Sequence, residues 1–241
     1  MLSGDTGVVD CVMPRKNQLL RPALANVDLL IAVVAVKNPA PDLRIVDKLL
    51  VNAASAGIPA AVCINKMDLG SSDIAEIYSD SGCSVIPLSA ASGEGMVTLT
   101  SLLGGRISVL AGNSGVGKTS ILNRLGFSLE TGSISKILRG RHTTRHTELY
   151  PLPPHLFETG YIADTPGFSV LCSSVDRDLP VASYFPEFTG HTGCKFDNCV
   201  HLPSSSGCEV VEAVKNGEIN SSRYNSYLCI LKEIEDNNRR R

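Results

Sequence analysis

The sequence has no long apolar run, no basic leader and little net charge. Its apolar run Leu29–Val36 is far shorter than the roughly 18 residues that a membrane-spanning helix needs. The first residues, Met1–Asp5, lack the basic and apolar regions of a secretory leader. We therefore expect no membrane association and no secretion. The formal net charge of −2 argues against a protein wholly devoted to nucleic acid.

The eight cysteines lack the regular spacing of a disulfide-rich secreted domain. Cys194, Cys199 and Cys208 lie close together, and the others are scattered along the chain. This distribution predicts reduced thiols in a reducing compartment. With 241 residues and 43% hydrophobic content, the chain can bury a substantial core, so we expect one main domain and a smaller appendage.

The stretch Gly112–Thr119 is typical of a phosphate-binding loop. It follows the apolar run Ile107–Ala111 and precedes a helix-like segment, so backbone N–H groups and the helix dipole would converge on one anion. Lys118 is expected to reach the β- and γ-phosphates as a point charge. The hydroxyl of Thr119 is expected to bind Mg²⁺.

The segment Asn65–Asp68 follows a buried strand and has the residues of a guanine-reading loop. Guanine presents N1–H and its 2-amino group as adjacent donors, and one carboxylate, that of Asp68, can accept both. Adenine has no such pair, which disfavours an ATP-using enzyme. Asn65 is expected to bond the other edge of the base and neighbouring loops, and the stem of Lys66 to pack over the ring. The loop Ser89–Ala91 would supply a backbone N–H to the guanine oxygen.

The segment Asp164–Gly167 ends another strand-like run, where a carboxylate is placed for Mg²⁺ and the Gly167 N–H for the γ-phosphate. The alternation of strands and helices predicts an α/β fold with right-handed crossovers. Ordinary guanine-nucleotide switches have the phosphate loop first, but here Asn65–Asp68 and Ser89–Ala91 precede it. The order of the motifs therefore predicts a circularly permuted domain.

Together these motifs resemble those of the RsgA/YjeQ family of circularly permuted, ribosome-assembly GTPases. The resemblance runs from about residue 3 to residue 235 and includes Arg15–Asn17, Arg21–Pro22, Ala25–Asp28, Gly140–Thr144, Tyr184–Phe188 and Cys194–His201. It implies an N-terminal OB-fold, a central GTPase domain and a C-terminal zinc domain that act late in maturation of the small ribosomal subunit. Of the OB-fold only a turn and its last strand, Val8–Met13, are expected, so either the chain is a fragment or the module is lost.

We accordingly expect an OB-fold remnant and linker over residues 1–24, the permuted P-loop GTPase domain over 25–175 and a zinc-binding helical domain over 176–241. Cys194, Cys199, His201 and Cys208 offer three sulfurs and one imidazole, a tetrahedral set suited to one structural zinc with no open position. The aromatic side chains near Tyr184, and Phe196, are expected in the core rather than on an RNA-stacking surface.

The glutamine that orients the attacking water in Ras-like enzymes is absent, because Phe168 occupies its position. His142 is the available polar substitute, although a solvated loop histidine or a contact to an RNA phosphate explains it equally well. Thr143 or Thr144 could bind Mg²⁺ once the basic segment Thr131–Thr147 orders. The predicted catalytic residues are therefore His142, Thr144 and Lys118.

The sequence thus predicts a GTPase that hydrolyses GTP to GDP and phosphate, with Mg²⁺, as a switch on ribosomal RNA. The alternative is a nucleotide-gated RNA-binding assembly factor with negligible turnover. We expect a monomer that binds the small ribosomal subunit and its RNA, in bacterial cytoplasm or in a chloroplast or mitochondrion. The expected nucleotide-binding residues are Asn65, Lys66, Asp68, Ser89, Ala90, Gly112, Asn113, Ser114, Gly115, Val116, Gly117, Lys118, Thr119, Ser120, Asp164 and Gly167.

Overall fold

The computed structural model of the protein describes residues 10–20, 23–129, 148–164 and 180–239. Its strands and helices are, in chain order, β1 (Gln18–Leu20), β2 (Ala23–Ala25), β3 (Leu29–Ala35), α1 (Leu43–Ser55), β4 (Ala60–Asn65), α2 (Ile74–Ile77), β5 (Ser84–Pro87), α3 (Met96–Leu103), β6 (Ile107–Ala111), α4 (Lys118–Arg124), β7 (Glu148–Pro151), β8 (Tyr161–Asp164), α5 (Glu209–Asn216) and α6 (Ser221–Arg239). None of the described helices is both long and apolar enough to cross a membrane.

A six-stranded sheet with the order β5-β4-β3-β6-β8-β7 organises the first part of the chain. All neighbouring strands pair in parallel except β7, which runs antiparallel to β8 at the edge. The central strand β3 is buried along its whole length, as expected for a β-branched, apolar strand that is covered on both faces. The predicted α/β fold is therefore confirmed, and the strands β3, β4 and β6 end at one common edge.

The alternation of side chains along each strand feeds two hydrophobic cores, one on each face of the sheet. In β4, Val62 and Ile64 pack into the core under α1 and α2, whereas Ala61 and Cys63 pack into the core under α3 and α4. Burial of apolar surface on both faces supplies the main stabilisation of this part of the chain. It also holds the loops at the carboxyl edge of the sheet in fixed relative positions.

Helix α1 has apolar residues at helical spacing. It begins after Asp42 and ends before Gly57, which has a φ of 65°. Its apolar positions Val46, Leu49, Leu50 and Ala53 are all buried against the sheet. The apolar pattern gave no reason to expect the buried charge of Asp47, which lies on the same helix with no exposed surface.

The predicted strand over residues 8–13 is wrong for its described part, residues 10–13, which pair with no described strand. Val12 and Met13 are 81% and 73% exposed, so no described surface buries a strand there. The extended pairing occurs later, between β1 and β2. The side chain of Asn17 anchors this hairpin: its Nδ2 donates to the Val27 carbonyl at 2.8 Å, and its Oδ1 accepts from the Val27 N–H at 2.9 Å.

The hairpin is tied to the start of the sheet by the carboxylate of Asp28. One oxygen accepts the backbone N–H of Ile107, the first residue of β6, at 2.9 Å, and the other pairs with Lys16 Nζ at 2.7 Å. The hydrogen bond from Ile107 and the neighbouring Lys16 lower the pKa of Asp28 below its ordinary value. Arg21 and Pro22, which the family resemblance includes, lie outside the described residues.

Residues 180–239 form a C-terminal lobe with a third hydrophobic core, built on α5, α6 and two short 3₁₀ turns. Val51 of α1 also belongs to this core, so the lobe packs directly on the sheet domain. The guanidinium of Arg223, on α6, crosses this contact and is only 2% exposed. It donates to Asp47 of α1 and, through Nε at 2.6 Å, to Glu187 of the lobe.

The buried ion cluster around Arg223 contains more carboxylate than guanidinium charge. Burial raises the pKa of Asp47, which also accepts a hydrogen bond from the Tyr78 hydroxyl at 2.9 Å. Burial alone would lower the pKa of Arg223, but Asp47 and Glu187 outweigh it and keep the guanidinium charged. The rings of Tyr78 and Phe185 lie 5.2 Å and 4.8 Å from the guanidinium carbon. A buried charge of this kind is stabilised only while its partners remain in place.

Candidate nucleotide site and metal centre

The predicted phosphate loop leaves the end of β6 and enters α4, which is the strand, turn and helix arrangement that the motif requires. Gly112 has a φ of 150° and Gly117 a φ of 99°, in the region where side chains are disfavoured. A β-carbon at Gly112 would collide with the Val33 carbonyl, and one at Gly117 with the Asn65 amide. The loop therefore lies directly against the ends of β3 and β4, with no space for larger residues at these two positions.

Lys118 is the first residue of α4, and its ammonium bends back over the loop. Its Nζ donates to the carbonyl oxygens of Gly112 at 2.8 Å and Asn113 at 2.9 Å. Thr119 and Ser120 follow in the first helical turn, where Thr119 is half-buried. A helix N-terminus with a lysine and a hydroxyl in this position can bind a phosphate chain and its metal ion.

Asn65 joins the two motif regions that the sequence places far apart. It is 1% exposed at the end of β4, and its Nδ2 donates to the Val116 carbonyl of the phosphate loop at 2.8 Å. Its Oδ1 accepts the backbone N–H of Ala90 at 3.1 Å. The predicted role of Asn65 towards neighbouring loops is thus visible in its hydrogen bonds.

Asp68 and Ser89 lie next to each other, as expected of residues that contact one base. The Ser89 hydroxyl donates to Asp68 Oδ1 at 2.5 Å and so orients the exposed carboxylate. The backbone N–H groups of Ser89 and Ala90 already donate to Glu94 and Asn65. Within the described part of the chain, the Ala91 N–H has no such acceptor, which makes it the donor of this loop that is available to a ligand.

Two long basic side chains connect the predicted base-reading loops, residues 65–68 and 89–92, to the predicted phosphate loop and to the helix that follows it. Lys66, in a left-handed conformation with a φ of 66°, donates through Nζ to the Gly115 carbonyl at 2.8 Å and to the Asn38 carbonyl. Arg124, on α4, donates to the Ser92 carbonyl at 2.9 Å. The motif for Lys66 was visible in the sequence, but no sequence signal marked Asn38 or Arg124.

Asp164 ends β8 and is paired in register with Leu110 of β6, so its backbone lies at the same edge as the phosphate loop. Its side chain is not among those described. The remaining predicted residues of the switch segments lie outside the described residues: His142, Thr143, Thr144, Gly167 and Phe168. Their roles stay predictions.

The four predicted metal ligands converge in the C-terminal lobe. The donor atoms of Cys194, Cys199, His201 and Cys208 all lie within 4.8 Å of one another. Cys194 Sγ is 3.6 Å from His201 Nδ1 and 3.9 Å from Cys208 Sγ, and His201 Nδ1 is 3.4 Å from Cys208 Sγ. Ordinary zinc bond lengths in a tetrahedron give edges of about 3.6 Å between sulfur and nitrogen and about 3.8 Å between sulfurs. The donor set and its spacing therefore fit one tetrahedral zinc ion.

The local electrostatics of this cluster favour metal binding at His201 and Cys199 and oppose it at Cys208. Burial lowers the pKa of His201, which favours the neutral imidazole that a metal needs. Burial raises the pKa of Cys208 to about 11, whereas at Cys199 hydrogen bonds from His201 and the neighbouring thiols outweigh burial and lower the pKa. A bound cation would be needed to hold Cys208 as a thiolate near neutral pH.

Two tyrosines of α6 support the metal centre, and the sequence analysis missed both. The Tyr224 hydroxyl donates to the carbonyl of His201, and the Tyr227 hydroxyl to that of Val200, each at 2.7 Å. His201 itself has a left-handed backbone with a φ of 50°. These bonds fix the strained turn that carries His201. The residue before Tyr224, Arg223, joins the same helix to α1.

The prediction that Phe196 lies in the core is wrong. Its side chain is 51% exposed, and the Lys195 ammonium lies 5.4 Å from its ring centroid. Phe196 belongs to the short loop between Cys194 and Cys199, which wraps around the ligand atoms and leaves its other side chains facing solvent. The aromatic residues near Tyr184 are buried, as predicted.

Comparison with known proteins shows which family this chain resembles. The model of the RsgA GTPase family matches residues 12–173. Proteins named small ribosomal subunit biogenesis GTPase RsgA are similar to this chain. The one from Ruminiclostridium cellulolyticum is 42% identical, covering 98% of this chain and 79% of the relative. The one from Carboxydothermus hydrogenoformans is also 42% identical, covering 99% and 83%.

Two solved structures have a similar fold. YjeQ from Thermotoga maritima matches with a TM-score of 0.74 and 37% identity, over 93% of this chain and 77% of that chain. YloQ, described as a circularly permuted GTPase, matches with a TM-score of 0.68 and 30% identity, over 93% of this chain and 74% of that chain. The predicted permutation of the sheet domain is thereby confirmed.

Proposed function

The chain belongs to the RsgA GTPase family, and from this we propose that it hydrolyses GTP to GDP and phosphate during late maturation of the small ribosomal subunit. The observation that carries the proposal is the pair of hydrogen bonds made by Asn65. They join the phosphate loop to the base-reading loop at one edge of the sheet, which is where a parallel α/β fold binds its ligands.

Asp68 selects guanine in this proposal. Its carboxylate, oriented by Ser89, accepts the N1–H and 2-amino donors that guanine presents together. The Ala91 N–H is the best placed donor for the guanine oxygen, because the N–H groups of Ser89 and Ala90 already bond within the protein. Lys66 flanks the base with its stem while its ammonium bonds the phosphate loop.

The phosphate chain binds over residues 112–120 at the N-terminus of α4. Lys118 exchanges its two carbonyl acceptors for oxygens of the β- and γ-phosphates. Mg²⁺ accompanies GTP in this family and neutralises charge that develops on the transferred phosphate. Thr119 and Asp164 are the residues that we assign to hold it, and Gly167 is the one that we assign to the γ-phosphate.

Hydrolysis requires a water held in line with the γ-phosphate, and Phe168 cannot orient one. We assign that role to His142, with Thr144 on Mg²⁺, once ribosomal RNA neutralises the basic residues of segment 131–147. Unaided turnover is accordingly slow, and the small subunit acts as the activator. The second candidate, a nucleotide-gated RNA-binding factor with negligible turnover, is favoured by one observation, the presence of Phe168.

The C-terminal cluster holds one structural zinc per chain through Cys194, Cys199, His201 and Cys208. A zinc ion there would cross-link a lobe that has a small core. Its four protein ligands would leave no open coordination position for catalysis. The protein acts as a monomer, without a membrane partner, at the place where small subunits mature. In a bacterium this is the cytoplasm, and in a eukaryotic cell it is a chloroplast or mitochondrion.

Multiple-turnover phosphate release from GTP separates the two candidate functions. We expect slow release by the protein alone and an increase of about 10³-fold or more with purified small subunits. Lys118→Ala serves as the control, because it removes the phosphate contact and reports contaminating activity. Tight GTP binding with no phosphate release in either condition would instead establish the binding factor.

A further inference from the structure

The loop between β3 and α1 contacts both Lys66 and the predicted phosphate loop, although no motif marks it. The backbone of Asn38, with a φ of 51°, directs its carbonyl at the ammonium of Lys66. The Lys66 ammonium also donates to the Gly115 carbonyl at 2.8 Å. Pro39 lies alongside, with its Cδ 3.6 Å from the position that a β-carbon on Gly115 would take. One lysine therefore joins three loops that come from the ends of three neighbouring strands.

We propose that Asn38 is a positioning residue for the guanine nucleotide, which holds Lys66 against the phosphate loop through its backbone carbonyl. The inference rests on the proposed function, since it concerns affinity for that ligand. Two acceptors fix the ammonium between the loops, so the stem of Lys66 stays beside the base position. With the Asn38 acceptor moved away, Lys66 would be free to leave Gly115, and the base-reading and phosphate loops would lose one of the contacts that set their separation.

The left-handed backbone explains why asparagine is suited to this position. Asparagine and glycine adopt this conformation at little cost, whereas a β-branched residue strongly disfavours it. The Asn38 side chain makes no hydrogen bond to the described residues and is exposed, so its contribution is the backbone conformation. Asn38→Gly should therefore retain the carbonyl position, and Asn38→Val should displace it.

The test is a titration of the full chain with a fluorescent GDP analogue. We expect Asn38→Val to weaken binding about tenfold, which corresponds to the loss of one hydrogen bond to a charged group. Asn38→Gly should stay within about twofold of the native protein, because the conformation is retained. Asn38→Ala, with a smaller backbone penalty, provides the same comparison if the valine variant does not fold.

A double-substitution cycle with Lys66→Met shows whether the effect passes through the lysine. We expect Asn38→Val to add little once Lys66→Met has removed the ammonium, because the two residues act as one unit. Native affinity in Asn38→Val and in Asn38→Ala, equal losses in Asn38→Gly and Asn38→Val, or additive effects with Lys66→Met would each overturn the inference. Failure of the native protein itself to bind GDP would overturn the proposed function, and the positioning role with it.

Discussion

At the carboxyl edge of the sheet, the polar side chains of the nucleotide site bond mainly to backbone groups of partly exposed loops. In the C-terminal lobe, the metal ligands are instead backed by a buried aromatic core and by tyrosine hydroxyls. Lys118 donates to carbonyl oxygens that the phosphates of a nucleotide can replace. Three of the four candidate metal ligands, Cys194, His201 and Cys208, already stand at tetrahedral spacing. The nucleotide site is therefore built for reversible ligand binding, whereas the cluster in the C-terminal lobe is built to hold a metal ion permanently.

Helix α1 connects these two regions. It lies on the sheet beside the nucleotide site, and it also receives Arg223 and contributes Val51 to the core of the lobe. The ion cluster at this contact is costly to bury and cannot lose one partner without leaving an uncompensated charge. The two regions therefore have separate hydrophobic cores, but their stabilities are coupled through this contact. Substitutions can show how far the coupling extends.

The largest expected effect is the loss of one metal ligand. Cys208→Ser should lose the bound zinc and unfold the lobe, because metal binding supplies much of the folding free energy of such a site. Nucleotide binding should persist, since the phosphate loop belongs to a different core. One preparation is measured in three ways: zinc content reports metal binding, limited proteolysis reports folding of the lobe, and GDP affinity reports nucleotide binding. Cys11→Ser, at an exposed position outside the cluster, is the control, and full zinc content in Cys208→Ser would refute the assignment.

The next effect concerns the contact between the regions. Arg223→Ala leaves Asp47 buried without its cation and should lower the free energy of unfolding by about 3–5 kcal/mol. The matched control is Lys48→Met, which removes the more exposed Lys48–Glu233 pair across the same contact and should cost less than about 1 kcal/mol. Denaturant unfolding followed by circular dichroism measures both. Equal losses in the free energy of unfolding for the two variants would show that burial of Arg223 does not make its ion pairs more important for stability.

A smaller effect is expected at the base. Asp68→Asn replaces one acceptor oxygen by a donor, so affinity for GTP should fall roughly a hundredfold while affinity for xanthosine triphosphate rises. Competition between GTP and xanthosine triphosphate for binding gives the ratio of the two affinities. Asp73→Asn, a nearby exposed carboxylate, should leave the ratio unchanged. Unaltered GTP affinity in Asp68→Asn would contradict the position that we assign to the base.

The smallest effect is a pH dependence at Asp28. Its pKa is lowered in the folded state, so it stabilises the fold above its unfolded pKa of about 3.9 and loses that contribution as the pH falls through the folded value. Asp28→Asn should cost on the order of 1 kcal/mol above about pH 5, and the difference from the native protein should begin to narrow below about pH 4 and close as the pH falls through the folded pKa. Thermal unfolding across this range measures it, with Asp10→Asn as the control. A difference that persists unchanged at low pH would exclude an ionised Asp28.

Sequence patterns were sufficient wherever the signal was local. The burial of the apolar run Leu29–Val36 and the convergence of the four candidate metal ligands follow from neighbouring residues, and both agree with the structure. Contacts between distant segments that carry no recognisable motif were not predictable in the same way. Arg223 meets Asp47 across 176 positions, and nothing in the composition of α6 indicates that its guanidinium is buried.

The errors have a similar physical origin. The segment Val8–Met13 is apolar enough for a strand, but a strand also needs a partner, and the described residues 10–13 have none. Phe196 has the chemistry of a core residue, yet the short metal-binding loop leaves it exposed. Burial depends on what the rest of the chain places nearby, which local pattern does not contain.

The most direct test of the central claim is co-sedimentation of the native protein with purified small ribosomal subunits, in GDP and in a non-hydrolysable GTP analogue. If the nucleotide site acts as a switch on the subunit, the analogue should retain clearly more protein in the pellet than GDP does. Binding should also weaken with added salt, because RNA phosphates take part. Equal association in both nucleotide states would contradict the switch, and no association in either state would contradict the proposed partner.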